Sequence, residues 1–357
     1  MTLGFYAEPA ADAKGWFPVI GVPECRHTRR KKCGRTKAGT QRFECSECGK
    51  RFTASTGTLA GMRLGVEKSA QIISMLCEGL SIRAVGRLAN VDKNTILELL
   101  LLVGQRCKFY MENAIVGVKV ADVSIDELWS FLGCKERTRR ILSKPVGSCG
   151  DNYCYVGMER NTRLILAWHM GSRTSENGFT FARKLAKACR KDKFQISSDG
   201  WRPYKHMIPY VFPGADYGQI IKVFGSVQDT TRYSPGAIIE CKLKTIAGNP
   251  DEDRINTSHS ERFNLSIRMG MRRFTRLTNG FSRSHDHHEA ALALFFCYYN
   301  FCAKHGTLKT TPAIAAGLTQ ERWTVAEMIE RTANYVKPEP KLADVIADLP
   351  DDDGSTT

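Results

Sequence analysis

The chain has 357 residues, enough for two or three domains, each with its own core. Its net charge of +15 points to a polyanionic partner, because cations that neutralise phosphates release counterions. Thirteen cysteines, many of them single within apolar runs (Cys77, Cys107, Cys297, Cys302), argue against a disulfide framework and for a reducing cytoplasm. No N-terminal signal pattern is visible, and the longest apolar run, 290–302, is too short for a bilayer and contains Asn300, so no membrane association is expected.

In chain order, residues 1–20 are weakly patterned and read as a flexible lead-in. Residues 21–55 form a ribbon-like module. Its centre is Cys45-Ser-Glu-Cys48-Gly, a spacing that lets two thiolates hold one tetrahedral Zn²⁺ from a tight turn, with Gly49 relieving the turn. A second pair of ligands belongs upstream. There Cys25 qualifies, Val22 stands where another cysteine is expected, and the fourth ligand is either Cys33 or His27. Ten Lys or Arg against two Glu lie between residues 26 and 51, interleaved with Phe43. This composition favours phosphate contact, with Arg30 and Lys31 as candidates.

Residues 62–107 read as an all-α helix-turn-helix domain. Ser81 and Asp92 are placed to cap two short helices, each offering an oxygen to free N–H groups. Ile82, Val85 and Leu88 would line the core face of the first helix. Lys93, Asn94 and Thr95 open the second, where a recognition helix reaches base edges. A connector follows at 108–118.

From 119 to 325 the pattern is mixed α/β. Short β-rich runs occur at 119–126, 152–158, 163–170 and 194–198, with a helical stretch at 175–190. Residues 205–256 read as loop-rich because Pro209, Pro213, Pro235 and Pro250 interrupt them. Helices resume at about 257–276 and 288–304. The tail, 337–357, combines three prolines with Asp351, Asp352 and Asp353 and reads as disordered and acidic.

Three carboxylates stand in separate settings. Asp126 and Asp199 close apolar runs, and Glu261 opens a helix. Two acids at strand ends and one on a later helix can converge on a pair of divalent cations. Alternation along a strand places Asp126 and Glu127 on opposite faces, so Asp126 is the expected ligand and Glu127 a structural neighbour. Arg268 follows Glu261 on nearly the same helix face. With Arg262, Arg272, Arg273 and Arg276 it forms a phosphate-binding face. His285, His287 and His288 point in different directions and read as a polar helix start. For His259, contact with DNA or metal-bound water and a helix-start hydrogen bond stand equally. Tyr299 fits a buried helix better than a nucleophilic site.

Asp-Glu-Leu-Trp-Ser-Phe-Leu-Gly-Cys (126–134), Ser-Asp-Gly-Trp-Arg-Pro-Tyr (198–204) and Ser-His-Ser-Glu-Arg-Phe-Asn-Leu (258–265) resemble DDE transposases of bacterial insertion sequences, in particular the insertion-sequence-one family. The segments 271–279 and 299–312 fit the same pattern. The resemblance implies a ribonuclease H-like catalytic domain. It carries metal binding onto Asp126, Asp199 and Glu261, with two Mg²⁺ or Mn²⁺ ions, and a DNA-binding role onto Arg268. It further implies a homo-oligomer on double-stranded DNA at element ends and target, in the bacterial nucleoid. The expected chemistry is hydrolysis at the element end, then attack of the freed 3′-hydroxyl on target DNA. Two alternatives remain: an inactive DNA-binding derivative, and a ribonuclease H-like nuclease.

Overall fold

A computed structural model describes residues 30–35, 41–49, 51–53, 59, 62–145, 147–224, 238–275 and 278–335. The expected lead-in and acidic tail, Cys25, His27, Arg276 and the side chain of Arg30 lie outside these. The chain divides into two compact units, one up to Val66 and one from Glu67 onward.

In the first unit, β1 (Arg30–Arg35), β2 (Gln41–Cys45) and β3 (Arg51–Thr53) form an antiparallel three-stranded sheet in sequence order. Lys31 and Arg51 both pair with Glu44 across it, at 2.9 and 2.8 Å.

The second unit begins with three helices: α1 (Val66–Cys77), α2 (Ile82–Ala89) and α3 (Lys93–Ala114). The caps follow the sequence. Ser81 accepts from the Ala84 N–H, and Asp92 accepts from the Asn94 N–H. Asn90 ends α2 in the left-handed conformation, at φ 52°. The core face of α2 is Val85 and Ala89, one turn apart, and Leu88 points outward at 68% exposure. This corrects the expectation for Leu88: it lies at the edge of the face that Val85 and Ala89 bury, and the neighbouring elements do not cover that edge. The expected connector at 108–118 is largely helix. Cys107 and Met111 continue the buried stripe, Lys108 pairs with Glu289 at 2.8 Å, and no Gly or Pro falls between Lys108 and Ala114.

The sheet that follows is six-stranded and mixed. Its members are β4 (Asp122–Leu132), β5 (Gly150–Glu159), β6 (Ile165–Gly171), β7 (Gln195–Asp199), β8 (Asp216–Phe224) and β9 (Ile238–Ala247). The order is β6-β5-β4-β7-β8-β9. β4, β5 and β6 form an antiparallel meander, β7 and β8 run parallel to β4, and β9 returns antiparallel to β8. The helix α4 (Glu136–Ile141) interrupts the β4–β5 connection. The crossovers are made by α5 (Ser175–Ala188) and α6 (Tyr204–Val211).

The runs at 152–158, 163–170 and 194–198 fall on β5, β6 and β7 and the stretch at 175–190 on α5, whereas the run at 119–126 catches only the first part of β4, which extends to Leu132. The expectation of loops across 205–256 is corrected. α6 tolerates Pro209 inside it, and β8 and β9 form a hairpin arm. β9 is exposed along most of its length, yet Ile239, Cys241 and Leu243 alternate with Glu240, Lys242 and Lys244 as strand residues do, a signal masked by the prolines on either side.

Further helices follow: α7 (Ser258–Gly270), which packs on β4, α8 (His285–Cys297), and α9 (Pro312–Ala315) and α10 (Val325–Arg331), which pack on the segment after α8. α5 lays Phe181 and Leu185 against Gly157 of β5, where any Cβ would sit 2.7 Å from Leu185. α3 and α8 pack so closely at Gly104 that an added Cβ would lie 2.2 Å from the Ala290 carbonyl oxygen. Asn300, fully buried just after α8, bonds both the N–H and the C=O of Ile165 at 3.0 Å, tying this segment to β6. No helix among the described residues is long and apolar enough to cross a membrane.

Candidate metal centre

The site forms where β4 loses a neighbour. The parallel pairing of β4 with β7 ends at Ser124 opposite Ser197. Asp126 and Asp199 each lie two residues beyond that last rung, Asp199 at the carboxyl end of β7 and Asp126 midway along β4, which runs on to Leu132 beside β5. Ligand sites of open α/β sheets gather at the carboxyl ends of strands.

Asp126 Oδ1 accepts from the N–H of Glu127 at 2.9 Å, and Oδ2 accepts from Asn264 Nδ2 of α7 at 2.7 Å. Asp199 Oδ1 accepts from the Trp201 N–H at 3.0 Å. Glu127 pairs with Arg173 at 2.9 Å, and the same guanidinium reaches Asp199 at 3.5 Å. Arg173 lies over the rings of Trp201 and Tyr153, 5.3 and 5.8 Å from their centroids.

Asp126, Glu127 and Asp199 each bring one oxygen within 4.8 Å of the others. Glu127 is therefore part of the cluster, which corrects the expectation that only one of the adjacent acids could face the site. The two side chains leave β4 on opposite faces, but the β7 side of the strand is open here, Asp126 turns to the N–H of Glu127, and the longer Glu127 side chain still brings an oxygen within reach of the same point.

Crowding of the acids is visible in their protonation. Burial, then Glu127, Asp199 and Glu261, push the Asp126 carboxyl up to about 7. Burial, then Asp199, push Glu127 to about 7, against the opposing effects of the Tyr204 hydroxyl and Arg173. The buried Tyr204 hydroxyl stands beside the Glu127 carboxyl, and Glu127 Oε1 has no other polar partner. A crowded, partly buried carboxylate set suits a hard divalent cation with oxygen ligands.

Glu261 lies in the first turn of α7. That helix is drawn to β4 by Ser124 and Ser260, whose hydroxyls meet at 2.7 Å, and by Asn264. Glu261 adds to the negative potential at Asp126 but stands outside the three-carboxylate group. It accepts from Thr257 Oγ1 at 2.9 Å and pairs with Lys222 of β8. The sequence singled out neither Arg173 nor Lys222. Arg173 sits in a turn between β6 and α5, and nothing local distinguishes it from any surface arginine.

The expected basic face is divided. Arg262 and Arg272 are exposed, and Arg268 is half-buried. Arg273 turns inward: it donates to Ser282 Oγ at 2.7 Å, and burial lowers its guanidinium to about 10. Ser282 also meets His288 Nδ1 at 2.9 Å, and His288 Nε2 meets Ser130 Oγ at 3.1 Å. Burial brings His288 down to about 3, so it is a neutral core residue. His287 turns to the Ser284 cap, in line with a polar helix start. His259 is half-buried, and after burial the charges that bear on it are Arg163, Arg160 and His305, not the carboxylates. Tyr299 packs on Phe263 at 4.7 Å, and burial raises its hydroxyl well above the usual range.

Lys93 and Asn94 are exposed at the start of α3, and Thr95 is half-buried. Lys93, Arg83, Arg272 and Arg283 are among the residues around a cavity of about 740 Å³, together with apolar side chains that include Leu97 and Phe295. In the first unit Cys33 is half-buried on β1, Cys45 is buried on β2 and Cys48 is exposed in the following turn. Gly49 takes φ 70° and donates to the Cys45 carbonyl at 3.0 Å. With Cys25 and His27 outside the described residues, a four-ligand set is not assembled within them.

No protein-family profile matches the chain, and no curated protein matches its sequence.

Proposed function

We propose that the chain is a DDE transposase that binds the terminal inverted repeats of an insertion sequence and carries out metal-dependent DNA cleavage and strand transfer. The observation that carries the reading is the carboxylate cluster at the open edge of β4, three acids within reach of one cation with two of their carboxyls raised to about 7. The mixed sheet supports it. A three-stranded antiparallel meander followed by two parallel strands on the far side of the first strand is the arrangement of a ribonuclease H-like domain. The capped pair α2 and α3, with Lys93 and Asn94 exposed, is consistent with a helix-turn-helix reader.

Asp126, Asp199 and Glu261 would hold two Mg²⁺ or Mn²⁺ ions, with Glu127 as an additional ligand. The ions would supply charge stabilisation to the attacking and leaving oxygens of the phosphodiester. The protein's own part is orientation. Asn264 and the Trp201 N–H fix the carboxylates of Asp126 and Asp199, and Arg173 holds Glu127 and offsets part of the repulsion. Glu261 is held by Thr257 and Lys222, so joining the cluster requires it to leave Lys222. Arg268, Arg272, Lys93 and the cations of the first unit would hold DNA backbone, with Zn²⁺ in that unit bound by Cys45, Cys48, Cys25 and either Cys33 or His27.

The test is Asp199→Asn, with Asp126→Asn and Glu261→Gln beside it. Each should abolish Mg²⁺-dependent cleavage and joining of element-end DNA while end binding stays nearly intact, because affinity comes from distant cations. Normal cleavage by Asp199→Asn overturns the reading.

A further inference from the structure

A second pair of reactive groups lies at the far end of β4. The last rung between β4 and β5 is Leu132 opposite Gly150. Between them the chain makes an excursion bearing α4, and Cys134 and Cys149 stand at its two feet. Their sulfurs are 3.0 Å apart. Two flanking glycines permit the approach. Gly133 has φ 67°, and a Cβ there would press on Cys149 Cβ at 3.1 Å. Gly150 has φ 128°, and a Cβ there would sit 2.5 Å from Glu136.

The feet are also held in place. The Gly133 N–H donates to the Ser282 carbonyl at 2.8 Å, and the Glu136 N–H donates to Asp151 at 3.0 Å. Arg139 grips Glu136 with two bonds, at 2.9 and 2.7 Å, and donates to the Lys144 carbonyl at 2.8 Å. The thiols meet without rearrangement of the backbone.

Both cysteines are half-buried, open to a small reagent, whereas Cys77, Cys154, Cys189, Cys297 and Cys302 are buried. Cys149 opens into a pocket of about 480 Å³ whose lining includes Lys144, Ser148 and Arg283. The Cys149 thiol is held below the ordinary thiol range by its bond from Cys134, with Ser148, Lys144 and Arg139 assisting. The Cys134 thiol is raised by the same contact. One sulfur is thus disposed to attack and the other to resolve.

We propose that Cys134 and Cys149 form a reversible dithiol–disulfide site that exchanges with small disulfides bearing carboxylates, drawn in by Lys144 and Arg283. The Cys149 thiolate attacks one sulfur of the reagent, whose S–S bond breaks, and a small thiolate leaves and takes a proton. Cys134 then loses its proton to solvent and attacks the Cys149 sulfur, and the second small thiol leaves. The two protein thiols give up two electrons in total, and the reagent disulfide becomes two thiols. The new bond closes the excursion that carries Lys135, Arg137, Arg140 and Lys144. The proposal stands independently of the DNA-processing reading.

The probe is oxidised glutathione added to the full-length reduced protein near neutral pH, followed by acid quench, alkylation and peptide mapping. Cys134 and Cys149 should lose alkylation together and appear as one cross-linked peptide pair, and dithiothreitol should restore both. Exposed Cys241 serves as the reference thiol. In Cys149→Ser, Cys134 should react no faster than Cys241. A readout on the unaltered chain guards against misfolding of that variant: oxidised protein nicked by trypsin within 135–144 should migrate as one chain until reduced. Glutathione adducts on Cys149 at the rate of Cys241 with no cross-link, or fragments that separate without reductant, overturn the proposal.

Discussion

Asp126→Asn should stabilise the metal-free protein at pH 8 and fail to do so at pH 4. Burial and the neighbouring acids move this carboxyl from 3.8 to about 7. The folded state therefore holds a proton that the unfolded state releases, so stability falls as pH rises from about 4 to about 7. Such a displacement of one carboxyl corresponds to about 4 kcal/mol once both states are ionised. The substitution removes that penalty and also eases Glu127. It costs one acceptor, since Asp126 now takes two bonds, from the Glu127 N–H and from Asn264, and an amide has a single oxygen. The loss amounts to about 1 kcal/mol. A net gain of about 2–3 kcal/mol is expected at pH 8 in EDTA, and a small loss at pH 4, where the parent carboxyl is largely neutral. Urea unfolding followed by far-ultraviolet circular dichroism at both pH values measures it. Added Mg²⁺ or Mn²⁺ should then stabilise the parent at pH 8 and the variant much less. A variant destabilised equally at both pH values would refute the reasoning, because the carboxylates would then not be repelling one another.

Gly104→Ala should destabilise by about 3 kcal/mol or more in thermal unfolding, since its Cβ would lie 2.2 Å from the Ala290 carbonyl oxygen and two helices must separate. Lys93→Ala and Asn94→Ala should weaken binding to element ends more than to random DNA, by about 1–3 kcal/mol where a base contact is lost, whereas Lys31→Ala should weaken both alike and flatten the salt dependence. Equal behaviour of all three in titrations at two salt concentrations would remove α3 as the reader. Cys48→Ser should lose one bound zinc by mass spectrometry of the native protein and unfold the first unit, while metal-dependent chemistry persists on a pre-nicked substrate. A zinc-free parent with a protease-resistant first unit would show that this unit stands on packing alone.

The parts of the fold legible in the sequence are those whose burial is one-sided or complete. β4, β5, β6 and β7 are apolar runs of ordinary strand length, and the caps at Ser81 and Asp92 mark α2 and α3 because a single oxygen decides where a helix begins. α6, β8 and β9 were hidden for a physical reason. Proline near a helix end loses at most one intrahelical bond, so Pro209 does not forbid α6. In β9 the alternation of Ile239, Cys241 and Leu243 with Glu240, Lys242 and Lys244 is a strand period, overlooked because the prolines on either side of it point to loops. Leu88 was misread because apolar spacing alone does not show which side of a short helix meets the core.

For the site, Asp126 and Asp199 were legible because an acid that interrupts an apolar strand run needs a polar setting, which Asp199 finds at the end of β7 and Asp126 where β7 leaves the side of β4. Glu127 was not, because alternation gives the direction in which a side chain leaves the strand and not how far a long one reaches. The pairing of β7 with β4 ends at Ser197, and the N–H of Glu127 takes the Asp126 carboxylate as its partner. A carboxylate that folds onto its own backbone is brought toward the neighbour that alternation would have placed behind it. The resulting repulsion is relieved in part by Arg173, from a turn far along the chain, and Glu261 is kept from adding fully to it by Lys222. Both partners belong to the tertiary structure, with no local pattern to announce them. The charge that opposes folding at neutral pH is the same charge that would hold a divalent cation. Removing it should therefore strengthen the fold and abolish the chemistry in one step, and a substitution that did only one of the two would separate the cluster from the function assigned to it.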